Sequence, residues 1–330
     1  MTTTELSRQV AILAGAVALL VVAAGASVSV GAHAIPPAEV WRALTDYAGT
    51  DEHLIVRDIR IPRTVIGICV GAALGTAGAL IQALTRNPLA EPGILGVTAG
   101  AGFAINLGVL FGLAGTQSAR LGLAVAGCAL AALVVYAVGR TSPLRLVLAG
   151  VALTSVLMGV SLGLRLLFPD VFDRYRFWSV GTLAGTEQTP LAVPVLLIVA
   201  ALVGAMVVSG PLRAVALGEQ VAHALGAHVA RTRTAVLVLV TLLAGAATAV
   251  AGPIAFVGLI VPHLARRLAA GSIPWLTGYA IVLGPVLLLI ADIGARVLLP
   301  TGEVPVAVVT AFIGGVVLIW AVRRYGAATL

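Results

Sequence analysis

The chain has 330 residues, of which 60% are hydrophobic and only 10% are charged, and its formal net charge is +7. A soluble domain carries about 25% charged residues, so the composition excludes an ordinary soluble domain and indicates one polytopic, all-α membrane domain over residues 1–330. All 20 basic residues are arginine. The missing lysine excludes ATP hydrolysis through a Walker A loop, and also Schiff-base chemistry, on this chain.

Apolar runs recur along nearly the whole sequence and predict about ten transmembrane helices. The helices are expected near residues 9–32, 62–84, 94–112, 119–138, 146–168, 190–209, 233–252, 254–270, 274–296 and 304–322. Ionisable residues are nearly absent from these runs. This disfavours a secondary transporter, which would use an intramembrane carboxylate of its own.

Small residues follow a regular spacing in the second and third spans. The set is Gly67, Gly71, Gly75 and Ala79, with Gly96 and Gly100 in the third span. Small residues four positions apart let neighbouring helix backbones approach closely. The segments 63–93 and 233–263 also share a weak pattern, because each runs from Arg-Thr to a break containing Gly or Pro. This pattern favours an inverted repeat of the kind common in transporters.

The segment 210–232 separates two apolar runs and predicts a short amphipathic helix. Glu219 suits its first turn, and Gly226 suits a position just beyond its end. One face carries Leu217, Val221, Ala224 and Leu225. Two interpretations are open: a docking helix for another protein, or a loop helix on the lipid surface. The polar face is acidic and neutral rather than arginine-rich, which disfavours the lipid surface.

The segment 251–267 reads AGPIAFVGLIVPHLARR and is too short to be an ordinary span. Broken backbone at membrane depth is tolerated only where protein or a water-filled cavity surrounds it. The paired arginines indicate that this end faces the cytoplasm. A transport pathway is therefore predicted to include Gly252, Pro253, Pro262 and His263.

Residues that could carry other chemistry are sparse. The five histidines show no metal-ligand spacing, and Cys69 and Cys128 lie inside apolar runs, where a packing role is expected. No metal site is therefore expected on this chain. An intramembrane enzyme would need a nucleophile–base pair or an H-E-x-x-H motif at depth, and the sequence shows neither.

Five motifs follow one another along the chain. They are Arg60-Ile61-Pro62-Arg63, Asn87-Pro88-Leu89-Ala90, the run from 252 to 267, Asp292-Ile293-Gly294-Ala295-Arg296 and Glu303-Val304-Pro305. Together they resemble the permease subunits of bacterial ABC importers for iron–siderophores, haem and cobalamin, the FecCD-type family. One departure is visible in the last span, where the family's G-x-P-x-F run is replaced by Gly314-Gly315-Val316-Val317-Leu318.

The resemblance implies the inverted-repeat architecture of a type II importer and a docking site for a substrate-binding protein. Arg60, Arg63 and Arg296 are expected to accept carboxylates from that protein, since charge-assisted pairs of this kind fix register. Pairing within the chain is the alternative, with Asp58 and Asp292 as the candidate partners.

Two further sets of residues are expected on the cytoplasmic side. The resemblance places an ATPase-coupling element at Leu217, Gly218, Glu219, Ala222, Leu225 and Gly226. It places a cytoplasmic gate at Asn87, Leu89, Thr141 and Ser142. Helix capping by the Asn, Ser and Thr residues is an equal alternative for the gate.

The implied function is that of the membrane permease of an ABC importer for a ferric siderophore, with haem or cobalamin as the alternative ligand. Two such chains, identical or homologous, would line one pathway, and an extracytoplasmic substrate-binding protein would deliver the ligand. Two separate ATPase subunits would bind ATP and Mg, so no cofactor and no nucleic acid is expected on this chain. The expected location is the bacterial cytoplasmic membrane, among its lipids, with both termini in the cytoplasm.

Overall fold

The computed structural model describes residues 3–31, 33–139, 143–185, 192–299 and 302–325, and these residues are almost entirely helical. The helices are α1 Thr3–Ser29, α2 Pro37–Thr45, α3 Asp51–Leu54, α4 Ile61–Thr85, α5 Val97–Leu110, α6 Gln117–Gly139, α7 Pro143–Leu167, α8 Pro169–Ser179, α9 Ala192–Ala216, α10 Glu219–Ala224, α11 Val229–Ala251, α12 Val257–Leu268, α13 Ile273–Val297 and α14 Val306–Tyr325. A π-helical turn, Ile55–Arg60, precedes α4, and a 3₁₀ turn, Pro92–Leu95, precedes α5.

The observed helices confirm the predicted all-α, multi-span architecture. Seven helices in the described part of the chain are long and apolar enough to cross a membrane, and α5 and α14 are shorter apolar helices. With the short α12, they correspond to the ten elements expected from the sequence. The predicted ends agree to within a few residues for most of the helices, because the apolar runs themselves define them.

The end of α9 is the largest difference from the expectation. The sequence predicted a loop from residue 210, but α9 continues through Pro211 to Ala216. Pro211 removes only one intrahelical hydrogen bond. Leu212, the next residue, and Val215, one turn after Pro211, are fully or almost fully buried. The packing of these two side chains keeps the turn helical, so the connection between α9 and α11 is shorter than 210–232.

Helix α4 forms the centre of the bundle, in contact with α9, α11, α12 and α13. Of the residues in its most apolar stretch, 83% are buried. Its glycines make this possible, since a Cβ atom on Gly71 would lie 2.6 Å from the carbonyl oxygen of Gly284 in α13. The close approach predicted from the spacing of small residues is therefore confirmed for α4.

The two glycines predicted to pack in the third span have different structural roles. A Cβ atom on Gly100 would lie 2.3 Å from the carbonyl oxygen of Gly127, so α5 and α6 touch there through backbone. Gly96 does not mark such a contact, because it precedes α5 with a φ of 70° and its nearest neighbour atom is 3.6 Å from a built Cβ. A turn that needs a left-handed residue, and not helix packing, explains Gly96.

Three short helices, α2, α3 and α8, were not predicted, because they lie in polar connections with little periodicity. His53 fixes the first two of them. Its Nδ1 accepts the backbone N–H of Ala48 at 3.0 Å, so its Nε2 carries the proton and donates to Glu39 Oε1 at 2.9 Å. Thr50 caps α3 by accepting the N–H of His53. This compact segment leads directly into the turn that carries Arg60.

Candidate functional site

A buried ionic cluster lies where α4 begins and α13 ends. Arg63 of α4 donates to both carboxylate oxygens of Asp292 in α13, with Nη2 at 2.8 Å from Oδ1 and Nε at 3.1 Å from Oδ2. Arg63 Nη1 also donates to Glu303 Oε2 at 2.7 Å. Arg296, one turn after Asp292, lies 3.0 Å from Asp292 Oδ2. Asp292 therefore bridges two guanidinium groups, one from α4 and one from α13. Its two-point contact with Arg63 uses the planar fork of the guanidinium, which Lys lacks.

The same cluster caps the C-terminal end of α1. The last carbonyl groups of a helix have no donor of their own helix and carry partial negative charge. Arg60 Nη1 donates to two of these carbonyls at 2.8 and 2.7 Å, and Arg296 Nη1 donates to a third and to the carbonyl of the residue just after the helix, at 2.8 and 3.0 Å. The accepting residues are Val28 and Ser29 for Arg60, and Ser27 and Val30 for Arg296.

The structure thus brings the three predicted docking arginines together, but it occupies them internally. Arg60, Arg63 and Arg296 are 6%, 5% and 4% exposed. The alternative of internal pairing is confirmed for Asp292. It is wrong for Asp58, which lies on the surface and makes no ion pair among the described residues. The side chain of Glu303, at 36% exposure, is the accessible edge of the cluster.

A second site is the break before α12. Gly252 ends α11 with a φ of 73°, and Phe256 precedes α12 with a φ of 69°. Left-handed backbone is unusual for a bulky residue, so surrounding contacts must hold Phe256 in place. One of them is Gly314 of α14, where a Cβ atom would lie 2.4 Å from the Cβ of Phe256. The first residue of the run that departs from the family's G-x-P-x-F is therefore a glycine for a steric reason.

Glu91 supplies the other support for this break. Its Oε1 accepts the backbone N–H of Phe256 at 2.9 Å. A carboxylate at the start of α12 also complements the positive end of that helix. Burial raises the pKa of the Glu91 carboxyl, and the hydrogen bond from Phe256 opposes that shift. The sequence offers no signal for Glu91, because it follows Asn87-Pro88-Leu89-Ala90 as an ordinary loop residue.

Pro262 leaves one backbone carbonyl of α12 without its usual donor, and a side chain of α4, Gln82, replaces that donor. Proline has no N–H, so the carbonyl of Gly258, four residues earlier, loses its intrahelical donor. Gln82 Nε2 donates to that carbonyl at 3.2 Å, and Gln82 Oε1 accepts from Arg266 Nη2 at 2.9 Å. Gln82 is 2% exposed. A buried glutamine in an apolar run was the signal that could have revealed this contact.

The predicted pathway element therefore holds two kinds of residue. Gly252 and Pro253 belong to the break, while Pro262 and His263 lie in the second half of α12. His263 Nε2 lies 3.3 Å from Arg267 Nη2, one turn further along the same helix. The structure places all four residues on one continuous segment between α11 and α13.

The predicted gate is only partly within the described residues, since Thr141 and Ser142 lie outside them. Asn87 follows the end of α4, and its Oδ1 accepts the N–H of Leu89 at 2.9 Å. This local turn fits the capping alternative for Asn87. Leu89 is half-exposed and borders a small space of about 20 Å³ that His263 and residues of α14 also line.

The predicted coupling element forms the short helix α10 and its flanks. Leu217 and Leu225 are 62% and 65% exposed, whereas Ala222 is fully buried against the bundle. Glu219 forms an ion pair with Arg233 of α11. Gly218 and Gly226 have φ values of 115° and 73°, which explains glycine at both ends. The element presents apolar side chains outward, and Ala222 and the Glu219–Arg233 ion pair help to hold it against the bundle.

Helix α10 lies at the opposite end of α4 from Arg63. The side chain of Arg86, which follows α4, is the nearest group to Gly218, 3.6 Å from a built Cβ. The ionic cluster and the coupling element are therefore separated by the length of a 25-residue helix, which is about 37 Å. Among the described residues, no group of three or more His, Cys, Asp or Glu side chains could hold a metal ion.

Comparisons with known proteins agree with this geometry. The ferric enterobactin transport system permease protein FepD of Escherichia coli (strain K12) is 46% identical over 316 residues, which is 94% of each chain. The iron(3+)-hydroxamate import system permease protein FhuB of Bacillus subtilis (strain 168) is 37% identical over 325 residues, covering 96% of this chain and 83% of that protein. A chain of a solved metal-chelate type ABC transporter in an inward-facing conformation superposes with a TM-score of 0.81 at 28% identity, covering 96% of this chain and 99% of that one. The FecCD transport family model matches residues 19–324, and the chain belongs to the FecCD transport family.

Proposed function

We propose that this chain is the membrane permease subunit of an ABC importer that carries a ferric siderophore. The observation that carries the proposal is the 46% identity to a ferric enterobactin permease over 94% of both chains. The seven long apolar helices and the broken helix α12 agree with a transport role. Haem and cobalamin are the alternative ligands of the same kind of importer.

The broken segment between α11 and α13 is proposed to line part of the pathway, with Gly252, Pro253, Pro262 and His263 in it. Irregular backbone at membrane depth belongs where protein or a water-filled cavity surrounds it. The support from Glu91 and Gln82 fits this role, because it pairs backbone groups that the break leaves without partners in the helix.

Transport is proposed to be driven from the α10 end by two separate ATPase subunits that bind ATP and Mg. The exposed Leu217, Val221 and Leu225 fit an apolar groove on such a subunit. This end would be the cytoplasmic one, with both termini inside and the protein in the bacterial cytoplasmic membrane. A second permease chain, identical or homologous, would complete the pathway. The exposed apolar faces of α7 and α14 give such a chain surfaces to contact.

The ionic cluster is proposed to mark the docking end for an extracytoplasmic substrate-binding protein. Because Arg60, Arg63 and Arg296 are buried, a carboxylate of that protein would have to replace an internal partner. Glu303 is the partner best placed for replacement, since its side chain is the exposed member of the cluster. The gate at Asn87 and Leu89, with Thr141 and Ser142, is proposed for the cytoplasmic side on the same orientation.

A secondary transporter is a weaker candidate. Such a transporter would use a buried carboxylate in mid-span, and the two nearest candidates are Asp292, buried near the end of α13, and Glu91, half-buried in the connection between α4 and α5. Asp292 is held by two arginines, however, and Glu91 by a backbone N–H. These fixed partners suit structural roles more than the binding of a coupling ion.

The test is iron uptake in a bacterial strain that lacks its own ferric-siderophore permeases. The chain is expressed with its ATPase and binding protein, and uptake of radiolabelled ferric catecholate, ferric hydroxamate, haem and cobalamin is measured. A ferric siderophore alone is expected to accumulate, and only with an active ATPase. Uptake that persists when the ATPase carries an inactivating substitution would support the secondary transporter instead.

Coupling is tested separately with Leu225→Asp, which places a charge on the outward face of α10. The matched control is Leu44→Asp, at an exposed leucine of α2, near the opposite end of the bundle. Co-purification of the ATPase is expected to fall for Leu225→Asp and to stay at the wild-type level for the control. Equal loss in both variants, or in neither, would contradict coupling through α10.

A further inference from the structure

An apolar groove lies between α6 and α11 on the outside of the bundle. It has a volume of about 280 Å³ and is lined by small and aliphatic side chains, among them Ala129, Ala132, Leu133, Leu237 and Val238. Only 28% of the residues in the most apolar stretch of α6 are buried, so this helix presents most of its surface outward. The groove is therefore shaped for an apolar chain and open to the membrane.

One end of the groove is polar. Tyr136 of α6 and Thr234 of α11 join across it, with their hydroxyl oxygens 2.8 Å apart. Tyr136 lies one turn before the end of α6, and Thr234 lies in the second turn of α11. A tyrosine near the end of a span is typical of the membrane–water interface. The apolar part of the groove thus points toward the membrane interior, and its polar end toward the surface on the α10 side.

The side chain of Arg231 places a positive charge just beyond the polar end of the groove. Arg231 precedes Thr234 by three positions, so the two side chains share one face of α11. Arg231 is exposed and forms no ion pair within the described ranges of the chain. It also lies in the first turn of α11, where the helix carries partial positive charge. An anionic group held here would meet both charges and would displace no ion-pair partner among the residues that the structure describes.

We propose that this groove is a binding site for an anionic phospholipid. One acyl chain occupies the apolar groove between α6 and α11, the Tyr136–Thr234 pair lies near the ester region, and the phosphate pairs with Arg231. Basic residues between transmembrane helices are a known basis for binding anionic headgroups. An apolar groove that ends in two hydroxyls and an exposed guanidinium matches the order of chemical groups along such a lipid.

The groove is connected to the break before α12 through Leu95, which also lines the groove. Leu95 ends the 3₁₀ turn that begins directly after Glu91, the residue that holds Phe256. An acyl chain in the groove would therefore pack against the turn that joins α4 to α5. The lipid is expected to steady this turn, so bilayer composition would influence the break before α12.

The experiment uses the full chain purified in detergent and titrated with phosphatidylglycerol or phosphatidylcholine, with bound lipid counted by native mass spectrometry. Arg231→Gln removes the proposed phosphate partner, and Arg213→Gln is its control at an exposed arginine in the last turn of α9. Wild type and control are expected to retain phosphatidylglycerol at least about tenfold better than Arg231→Gln, the loss of one charge-assisted contact. Equal retention in the two variants would overturn the headgroup assignment.

The groove itself is tested with Ala132→Phe, which fills it, against Val134→Phe, an outward position of α6 that does not line it. Only Ala132→Phe should lose bound lipid of both kinds. If that variant fails to fold, the wild-type chain is photo-crosslinked with phosphatidylglycerol that carries a diazirine in one acyl chain. Adducts on the groove-lining residues of α6 and α11 support the site, whereas adducts spread evenly over all outward helices overturn it.

Discussion

Gly78 of α4 and Gly258 of α12 meet so closely that neither helix has room for a side chain between them. A Cβ atom built on Gly78 would lie 2.0 Å from the carbonyl oxygen of Gly258. The contact is backbone against backbone, and a neighbouring side chain cannot relieve it by changing rotamer. The position of α12 against the central helix therefore depends on the absence of one methyl group.

Substituting Gly78→Ala is expected to destabilise the chain by about 3 kcal/mol, the upper end of the usual cost of over-packing, because backbone must shift. The control is Gly122→Ala in α6, where a Cβ would meet nothing within 4 Å. Since alanine favours helix over glycine by roughly 1 kcal/mol, the control should be neutral or slightly stabilising. Thermal unfolding in detergent measures both, and similar melting temperatures for the two variants would contradict the close contact.

Removing the Gln82 amide is expected to leave the buried carbonyl of Gly258 without a donor and to take an acceptor from Arg266. Gln82→Leu should therefore cost about 1–3 kcal/mol. The added change Pro262→Ala restores an N–H that can donate to the Gly258 carbonyl. A double-mutant cycle should show that Gln82→Leu costs less in the Pro262→Ala background than in wild type. Strict additivity would show that the proline and the glutamine are not coupled.

Removing Asp292 should be the most damaging change in the ionic cluster. Asp292→Ala leaves Arg63 and Arg296 without their shared carboxylate, and breaking a buried ion pair costs about 3–5 kcal/mol. Asp58→Ala, at an exposed carboxylate near the same end of α4, is expected to stay within about 0.5 kcal/mol of wild type. Denaturant unfolding of both variants provides the comparison. A comparable loss of stability in both variants would show that Asp58 is also an internal partner of the arginines.

Glu91 should make stability depend on pH. Burial raises its pKa in the folded chain above the ordinary value of 4.5, so the folded state holds the proton more tightly than the unfolded state. The resulting stabilisation is fully present below the ordinary pKa and is lost as pH rises through the folded pKa. Glu91→Gln keeps an acceptor for the Phe256 N–H but does not titrate. Its melting temperature should fall less than that of wild type over this range, and parallel curves would contradict the effect.

The spans could be predicted because each depends on a local property, a continuous apolar run of sufficient length. Even the broken α12 was visible, since Gly252-Pro253 and Pro262 interrupt the pattern where the helix begins and where it needs outside support. The end of α9 was wrong because the connection was predicted to begin at residue 210, although the helix accommodates Pro211 and continues to Ala216. Only the burial of Leu212, a tertiary property, shows that the helix continues.

The sites were harder to predict than the spans, because their partners lie far apart in the sequence. Arg63 and Asp292 are separated by 229 residues, and Gln82 and Gly258 by 176. The three arginines could be identified from the sequence, but the hydrogen bonds from two of them to carbonyls at the end of α1 could not. Backbone acceptors carry no side-chain signature, so capping of one helix by residues of two other elements has no local pattern.

The attachment of α1 has a consequence for the order in which the chain assembles. The carbonyl of Ser27 receives its donor from Arg296, 269 residues later. During synthesis α1 therefore enters the membrane early, while the side chain that completes its C-terminal end does not yet exist. Throughout that interval the carbonyl of Ser27 has to be hydrated or held by another donor. The hydrogen bond can form only after the second half of α13 has been made, and it then joins the first helix to the last third of the protein.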